Sequence, residues 1–467
     1  MEAMGIYKSY DIRGVFGTEW DASTAHAIGR HLPSLLDARR IVVGRDARLS
    51  SEEVFGALSA GLSEAGCDVD DIGLCDTPAV YFATARYAMD GSVMVTASHN
   101  PPEYNGLKVS RRDAVPVGYD TGLAELARKV EQGRLPPKAA RPGTVRARDI
   151  RTDYVAHLAR FRSDLSRLSA VIDCSNGMAG IYLRDALSGT GLDPLFLFEQ
   201  PDGRFPNHAP NPLVEANLEA LKDRVRAERA DIGICFDGDA DRVMFVDETG
   251  AFISPDLLIC LLGTYYFRLH RERLEGGTTT VTYDVRSSRS VVEFLQSLGA
   301  SPVMCRVGHS FAKKLLRDTR GIVGGELAGH YYFRENSFCD SGMIAALAVM
   351  EVLAADGRPF SRLIAEINRW HFSGEMNFTV ANGSAILARV RSDFADGTLS
   401  ELDGIRVDYP GWWFNLRISN TEPLLRLVVE AATKEELDEK TGDLSARIRR
   451  YAAEAPAGGA PLPTAAG

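Results

Sequence analysis

Paired cysteines are missing from this chain. Its seven cysteines are scattered, and none belongs to a Cys-x-x-Cys pair. This spacing argues against a disulfide framework. Several of them, including Cys235 and Cys260, lie in apolar runs, so we expect small buried side chains in a reducing compartment.

Long apolar runs and long basic runs are also missing. The longest apolar run, Leu257 to Leu262, is far too short to span a bilayer, and the first residues contain no apolar signal core. These features predict a cytoplasmic protein without a membrane partner. A formal net charge of −10 and the lack of a Lys/Arg run argue against a nucleic-acid partner. A local basic pocket for a small anion is still compatible with an acidic chain.

A weak internal repeat organises the 467 residues. Stretches beginning at Ile41, Ala170 and Thr280 each contain an apolar strand, a polar loop, a helix-period segment, a glycine and a second strand. The repeat predicts three related α/β domains. A last segment begins around His371 and contains strand-like runs and then a charged helix over 434–453. We predict domains at 1–150, 151–252, 253–370 and 371–455, an exposed connection over 134–150, and a disordered tail at 456–467.

Ser98 lies in the segment TASHNPPEYNGLKV, which follows a predicted strand over 91–95. Pro101 and Pro102 prevent a helix from starting there, so the serine is predicted to lie on a loop. Its neighbours do not form the Gly-x-Ser-x-Gly elbow of hydrolases. A turn serine bonded to its own backbone and a functional serine both remain open.

Three carboxylates, Asp237, Asp239 and Asp241, lie between two apolar strands. So close together they repel one another and take up protons unless a cation holds them, and oxygen ligands favour a hard cation such as Mg²⁺. A solvated acidic turn is one alternative. A calcium loop ending at Glu248 is another, although Arg242 stands where that loop needs glycine. Since Mg²⁺ keeps positions for phosphate oxygens, a phosphorylated serine could complete the site.

The segment RISNTEPLLRL contains four residues that could donate hydrogen bonds to a phosphate: Arg417, Ser419, Asn420 and Thr421. A helix start with Pro423 in its first turn is the alternative.

Two further segments could face a sugar. The glycines of GGELAGHYYF let Glu326 and His330 approach a ligand closely, although a plain turn between strands is equally compatible. Tyr10 and Arg13 in YDIRG could bind a ligand or form a structural ion pair.

Taken together, YDIRG, TASHNPPEYNGLKV, DGDADR, GGELAGH and RISNTEP resemble the α-D-phosphohexomutases, and within them the phosphomannomutase/phosphoglucomutase group. The motifs run from Tyr10 to about Leu427. The resemblance implies three α/β domains with mixed sheets and a smaller α+β C-terminal domain around a central cleft. It implies an enzyme that interconverts hexose 1-phosphate and 6-phosphate, of mannose or glucose, through a phosphoserine and a bound 1,6-bisphosphate. Mg²⁺ and a phosphorylated hexose would be its cofactor and partner.

The resemblance also implies residue roles. Ser98 would carry the phosphoryl group, and its phosphate would hold Mg²⁺ with Asp237, Asp239 and Asp241. Glu326 would contact sugar hydroxyls, and Arg417, Ser419, Asn420 and Thr421 would grip the phosphate that is not transferred. The cleft would be lined by Tyr10, Arg13, His99, Lys108, Arg242, Arg286, Gly308, His309 and His330. Lys108, Arg13 and His309 are unranked candidates for the general acid and base.

Two positions depart from the family pattern. Ala328 stands where serine is usual, which removes a sugar hydrogen bond worth about 0.5–1.5 kcal/mol. Arg286 stands where lysine is frequent. Both bear on sugar preference, and a phosphoglucosamine mutase, a silent sugar-phosphate-binding protein and a phosphatase remain alternatives.

Overall fold

The structure, a computed structural model, describes residues 5–274, 278–419 and 424–454. No helix within these ranges is long and apolar enough to cross a membrane. The predicted tail, Asn420 and Thr421 lie outside the described residues. The predicted domain boundaries are kept below as names for the four parts.

The first domain has a mixed sheet with helices packed against it. Its strands are β1 (Ile12–Val15), β2 (Arg40–Arg45), β3 (Asp68–Leu74), β4 (Gly91–Val95), β5 (Tyr104–Arg111), β6 (Val115–Pro116) and β7 (Val145–Ala147). Its helices are α1 (Ala22–Leu36), α2 (Ser51–Glu64), α3 (Thr77–Arg86) and α4 (Leu123–Glu131). Strands β3, β2 and β4 are parallel, and β5 returns antiparallel to β4. The exposed connection over 134–150 also contains β7, an edge strand parallel to β3.

The second domain repeats this arrangement. Its strands are β8 (Ala170–Asp173), β9 (Leu195–Leu197), β10 (Ile232–Phe236), β11 (Val243–Asp247) and β12 (Phe252–Ile253). Its helices are α5 (Arg151–Ala159), α6 (Leu183–Leu187) and α7 (Glu219–Glu228). Strands β9, β8 and β10 are parallel, and β11 is antiparallel to β10.

The third domain has the same order of directions. Its strands are β13 (Thr280–Asp284), β14 (Ser301–Cys305), β15 (Val323–Gly325), β16 (Tyr331–Phe333) and β17 (Cys339–Asp340). Its helices are α8 (Leu257–Thr264), α9 (Arg289–Ser297), α10 (His309–Asp318), α11 (Gly342–Asp356) and α12 (Phe360–Ile367). Strands β14, β13 and β15 are parallel, and β16 is antiparallel to β15.

The repeat places the candidate residues at equivalent points. In each domain, the last parallel strand and its antiparallel partner are joined by a short connection. Ser98 lies between β4 and β5, the three aspartates between β10 and β11, and Glu326 with His330 between β15 and β16. The predicted fold class of three related α/β domains with mixed sheets is confirmed.

The fourth domain is a smaller α+β unit. Its strands are β18 (His371–Phe372), β19 (Met376–Thr379), β20 (Thr398–Ser400), β21 (Ile405–Asp408), β22 (Trp412–Ile418) and β23 (Leu424–Ala431). Its helices are α13 (Gly383–Asp393) and α14 (Lys434–Glu454). All strand pairs of its sheet are antiparallel within the described residues. The helix-start alternative for RISNTEP is wrong, because Leu424–Ala431, which would follow Pro423 in such a helix, form strand β23.

The apolar cores divide the molecule unequally. One cluster of buried side chains runs from α3 and β4 of the first domain through the second and third domains. The fourth domain has a separate core, which includes Phe414, Leu427 and Ile448. A unit with its own core and a polar boundary is expected to move as a rigid body.

Candidate active site

Ser98 faces the carboxylates of the second domain. Its side chain is buried, with 1% of the residue exposed, and its backbone adopts a left-handed conformation with φ 52°. The Ser98 hydroxyl donates a hydrogen bond to Asp237 Oδ2 at 2.9 Å. Its amide donates to Thr96 Oγ1 at 2.9 Å, so Thr96 supplies the local turn bond. The serine hydroxyl is thereby available to a partner from another domain.

The loop that carries Ser98 is organised by Arg48, which follows strand β2. Arg48 Nη2 donates to the Ser98 carbonyl at 2.9 Å and to the Asn100 carbonyl at 2.6 Å. Its Nη1 donates to the carbonyls of Pro101 and Tyr104 at 2.5 and 3.0 Å. Arg48 also forms an ion pair, with its Nε 3.2 Å from Asp46 Oδ2. One guanidinium therefore fixes four backbone carbonyls around the serine.

The three aspartates form a buried group with the chemistry of a cation site. Oxygen atoms of Asp237, Asp239 and Asp241 lie within 4.8 Å of one another. Asp239 Oδ1 and Asp241 Oδ1 are buried and have no hydrogen-bond partner among the described residues. Burial and the two neighbouring carboxylates raise the pKa of Asp237 well above its usual value. Unpartnered carboxylate oxygens that repel one another are the donor set a hard cation stabilises.

Neither alternative for this segment fits. All three aspartates are at most 2% exposed, which excludes a solvated acidic turn. Glu248, the twelfth position of a calcium loop, instead accepts a hydrogen bond from the Ser361 amide at 3.0 Å. Strands β10 and β11 flank the group, whereas a calcium loop of this type is flanked by helices.

Two cations contact the carboxylate group. Lys108 Nζ lies 2.6 Å from Asp239 Oδ2 and also contacts Asp241 Oδ2. Burial lowers the pKa of Lys108, but the carboxylates outweigh this and raise it overall, so this lysine stays charged. Arg242 Nε lies 3.5 Å from Asp237 Oδ2. With all three carboxylates ionised, these two cations leave one negative charge, which a bound divalent cation would offset.

Arg13 lies at the edge of the same group. It contacts Asp11 and donates from Nη1 to Asn100 Oδ1 at 2.8 Å. Burial lowers its pKa, while Asp11 and then Asp239 and Asp241 raise it, with a net increase. Arg13 is therefore a third fixed positive charge near the carboxylate group and the Ser98 loop.

Three histidines approach the site, each with different partners. His99 Nδ1 accepts from Arg242 Nη2 at 2.5 Å, and burial beside the Arg242 cation keeps its pKa far below the usual value. The pKa of His309 is also well below its usual value, because of burial and then the Lys313 cation. His330 Nδ1 lies 2.7 Å from Asp340 Oδ2, and Asp340 Oδ1 is 2.8 Å from Lys313 Nζ.

Glu326 connects the glycine-rich turn to the start of α10. Its Oε2 accepts from the Gly308 amide at 3.1 Å, and its Oε1 accepts from the Tyr332 hydroxyl at 2.6 Å. Tyr10 from the first domain donates its hydroxyl to the Val307 carbonyl at 3.0 Å and packs on His309 at a ring separation of 5.4 Å. The segment is therefore both a turn between strands and part of the candidate site, since the turn places the buried Glu326 carboxylate against Gly308 and Tyr332.

A group of arginines lies where the third and fourth domains meet. Arg286 pairs with Asp284, with Nη2 2.7 Å from Oδ2, and donates from Nη1 to Glu375 Oε2 at 3.1 Å. Arg417 Nη2 lies 3.2 Å from the same oxygen of Glu375, and Arg426 Nη1 lies 2.9 Å from its other oxygen. Ser419 is buried beside them.

Polar contacts connect the carboxylate group, the glycine-rich turn and the arginine group in series. Asp241 Oδ1 lies 3.7 Å from His330 Nδ1, and Glu326 Oε2 lies 4.0 Å from Arg286 Nη2. With the Glu326 amide donating to the His330 carbonyl at 3.0 Å, this series of contacts extends from Ser98 in the first domain to Arg417 in the fourth. Sequence reasoning missed several residues around the site, among them Lys313, Asp340, Glu375 and Thr77, whose hydroxyl donates to Asp239 Oδ2. None of these four residues belongs to a recognisable sequence motif, and only the folded chain brings them to the site.

Comparison with known proteins identifies the family. The models for the four phosphoglucomutase/phosphomannomutase domains match the chain in order: alpha/beta/alpha domain I at 4–135, domain II at 152–250, domain III at 254–382 and the C-terminal domain at 375–444.

Curated relatives agree with these matches. A phosphomannomutase of Escherichia coli is 38% identical, with 96% of this chain and all of the relative covered. A phosphomannomutase/phosphoglucomutase of Pseudomonas aeruginosa is 36% identical, with 93% of each covered.

A solved structure agrees as well. A phosphoglucomutase/phosphomannomutase family protein of Burkholderia thailandensis superposes with a TM-score of 0.86 at 32% identity, covering 97% of this chain and 99% of the other. The four matched domains and these near full-length similarities place the chain in the phosphoglucomutase/phosphomannomutase family of phosphohexomutases.

Proposed function

We propose that this phosphohexomutase interconverts the 1-phosphate and 6-phosphate of mannose or glucose through a phosphorylated Ser98. The observation that carries the proposal is the 2.9 Å contact between the Ser98 hydroxyl and Asp237. A serine that lies against three carboxylates is poorly placed to bind an anion unless those carboxylates are themselves neutralised. A cation-assisted phosphoserine satisfies that requirement.

Asp237, Asp239 and Asp241 are the residues that would hold Mg²⁺, with an oxygen of the Ser98 phosphate as a further ligand. When bound, the ion would neutralise charge on the phosphoryl group being transferred. The fit rests on the unpartnered oxygens of Asp239 and Asp241 within the described residues. Oxygen-only donors of this kind suit Mg²⁺ better than softer metals.

The covalent steps form a closed cycle. The free hydroxyl oxygen of the substrate attacks phosphorus on Ser98, the bond from phosphorus to Ser98 Oγ breaks, and a hexose 1,6-bisphosphate results. The bisphosphate then reorients within the site. Ser98 Oγ attacks its other phosphate, the bond from that phosphorus to the sugar oxygen breaks, and the isomeric hexose monophosphate leaves. The enzyme ends as it began, with its serine phosphorylated, so no outside phosphate donor is consumed.

The protonation states distinguish the three candidates for proton transfer. Lys108 and Arg13 remain charged, so they stabilise negative charge on the transferring group. His309 is held neutral, and its Nδ1 has no hydrogen-bond partner among the described residues. Of the three, His309 is therefore the one whose neutral form can accept the proton of the attacking hydroxyl, and its lowered pKa makes it a weaker base than an ordinary histidine.

The other end of the sugar would be held by the third and fourth domains. Glu326, fixed by Gly308 and Tyr332, would accept hydrogen bonds from sugar hydroxyls. Arg417 and Ser419 would bind the phosphate that is not transferred. Because the intermediate must present either end to Ser98, closing and reopening of the fourth domain is the expected accompanying motion.

Intact-mass measurement tests the proposal. After incubation with glucose 1,6-bisphosphate and MgCl₂, the wild-type chain is expected to carry one added phosphate. Ser98→Ala is expected to carry none and to lose mutase activity. Ser297→Ala, at the end of α9, is the matched control and should behave as wild type. Absence of any phosphorylated wild-type species would overturn the mechanism.

Product analysis separates the alternative functions. Turnover of mannose 1-phosphate and glucose 1-phosphate should exceed that of glucosamine 1-phosphate, with no stoichiometric release of inorganic phosphate. A preference for glucosamine 1-phosphate would instead favour a phosphoglucosamine mutase, and release of phosphate at every turnover would favour a phosphatase.

A further inference from the structure

Glu375 occupies an unusual electrostatic position at the boundary between the third and fourth domains. It lies directly before β19, and its carboxylate is within hydrogen-bond distance of three guanidinium groups from two domains. Burial tends to raise the pKa of Glu375, but Arg286, Arg417 and Arg426 outweigh that effect and lower it to about 2. The residue is therefore an anion held permanently among cations.

The strand register explains why an anion is needed there. Arg417 on β22 and Arg426 on β23 are direct cross-strand partners. Like charges that oppose each other on adjacent strands destabilise a sheet. The two oxygens of Glu375 divide between them, with Oε2 3.2 Å from Arg417 and Oε1 2.9 Å from Arg426. The carboxylate thus holds the two arginines side by side.

Arg286 joins this arrangement to the third domain. Its fork engages Asp284 through Nε at 3.2 Å and Nη2 at 2.7 Å, which leaves Nη1 to reach Glu375. A lysine has a single nitrogen and cannot reproduce this fork, in which Nε and Nη2 bind Asp284 while Nη1 reaches Glu375. The arginine at this position therefore fixes Glu375 from across the domain boundary.

We propose that Glu375 is a positioning residue for the phosphate-binding arginine of the fourth domain. By neutralising Arg426 and anchoring to Arg286, it sets the side chain of Arg417 so that this guanidinium meets the non-transferred phosphate in a fixed orientation. This inference rests on the proposed function, because it assumes that Arg417 binds a sugar phosphate. The rival role for such a carboxylate is competition, in which it blocks the phosphate from the arginines.

The two roles predict opposite effects of Glu375→Gln. Positioning predicts a KM for glucose 1-phosphate raised by at least about tenfold, the effect of losing one charge-assisted hydrogen bond, with kcat changed much less. Competition predicts a lowered KM. Glu401→Gln is the matched control, since Glu401 pairs with Arg391 at the exposed surface of the same domain and should leave both constants unchanged.

Direct binding removes the chemistry from the test. In a Ser98→Ala background, titration calorimetry with glucose 6-phosphate should show the same loss of affinity when Glu375→Gln is added. In a background that also carries Arg417→Ala, adding Glu375→Gln should cause little further loss, because the residue acts through that arginine. Equal losses in both backgrounds, or tighter binding by Glu375→Gln, would overturn the proposal.

A second variant covers the case in which Glu375→Gln does not fold. Arg286→Lys keeps the charge but loses the double engagement, and it should raise KM in the same direction by a smaller factor. An unchanged KM in this variant contradicts the proposed anchor.

Phosphorylation of Ser98 by glucose 1,6-bisphosphate is measured in parallel. If wild type lacks phosphorylation, the proposed function fails, whereas phosphorylated wild type with an unaffected KM in the variants refutes only the role of Glu375.

Discussion

At the scale of single residues, His208 illustrates how its partners select a charge state. Its Nδ1 lies 2.8 Å from the Ala209 carbonyl and its Nε2 lies 3.1 Å from Asp173 Oδ2. Both neighbours are acceptors, so only the doubly protonated ring satisfies both. Burial lowers the pKa of His208, but the hydrogen bond to Asp173 and its charge outweigh this and raise it.

This raised pKa gives stability a definite dependence on pH. The stabilisation is fully present below the unfolded-state pKa of about 6.5 and is lost as pH rises through the higher folded-state value. We expect His208→Gln to destabilise the protein by about 1.5–3 kcal/mol at pH 6 and by much less at pH 9, measured by denaturant unfolding. His371→Gln, at an exposed position, should show no such difference. A gap that widens with pH would contradict the argument.

At the scale of elements, the connection between β4 and β5 is shaped by a residue outside it. Arg48 donates hydrogen bonds to three carbonyls of that connection and to the Tyr104 carbonyl at the start of β5. A lysine keeps the charge at this position but not the geometry of the fork. The orientation of Ser98 is therefore expected to depend on the guanidinium.

We expect Arg48→Lys to lower kcat by about 10²-fold, the effect of a misplacement of about 1 Å, while KM changes little. The rate at which glucose 1,6-bisphosphate phosphorylates the serine should fall in parallel, as measured by intact mass. Arg45→Lys is the control, because Arg45 lies nearby on β2 and pairs with Glu52 and Asp71 instead. A KM effect without a kcat effect would indicate a role in substrate binding.

Local sequence patterns predicted the regular elements near the site well. The strand over 91–95 and the helix predicted over 434–453 match β4 and α14, because apolar patterning acts over neighbouring residues. Strand β7 was missed because it is short, exposed and Arg-rich. Glu375 and Asp340 could not be predicted as site neighbours, since each depends on partners distant in sequence or on another element.

At the scale of the whole molecule, the first two domains meet through backbone contact at the site. A Cβ placed on Gly238 would lie 2.5 Å from the Ser98 carbonyl oxygen. The Thr77 amide also donates to the Asp239 carbonyl at 3.0 Å across the same boundary. The motif DGDADR therefore needs glycine between its first two aspartates for a reason that only the assembled domains reveal.

We expect Gly238→Ala to push the two connections apart, with a loss of stability of about 1–3 kcal/mol and of kcat by at least about 10²-fold. Thermal unfolding and steady-state kinetics measure the two effects. Gly56→Ala is the control, since nothing lies within 4 Å of a Cβ at that position of α2. It should be neutral or stabilising by up to about 1 kcal/mol. Full activity in Gly238→Ala would mean that the contact is not needed for transfer.

The distribution of the site along the chain has an evolutionary consequence. The serine and its carboxylate neighbours all come from residues before 252, whereas Glu326 and Arg417 come from the remainder. Under the proposed roles, the phosphoryl carrier and its cation ligands lie in the earlier part of the chain, and the groups that would hold the sugar and its second phosphate lie in the later part. On that division, we expect substitutions in the later part to change which hexose is accepted while Ser98 and the three carboxylates stay as they are.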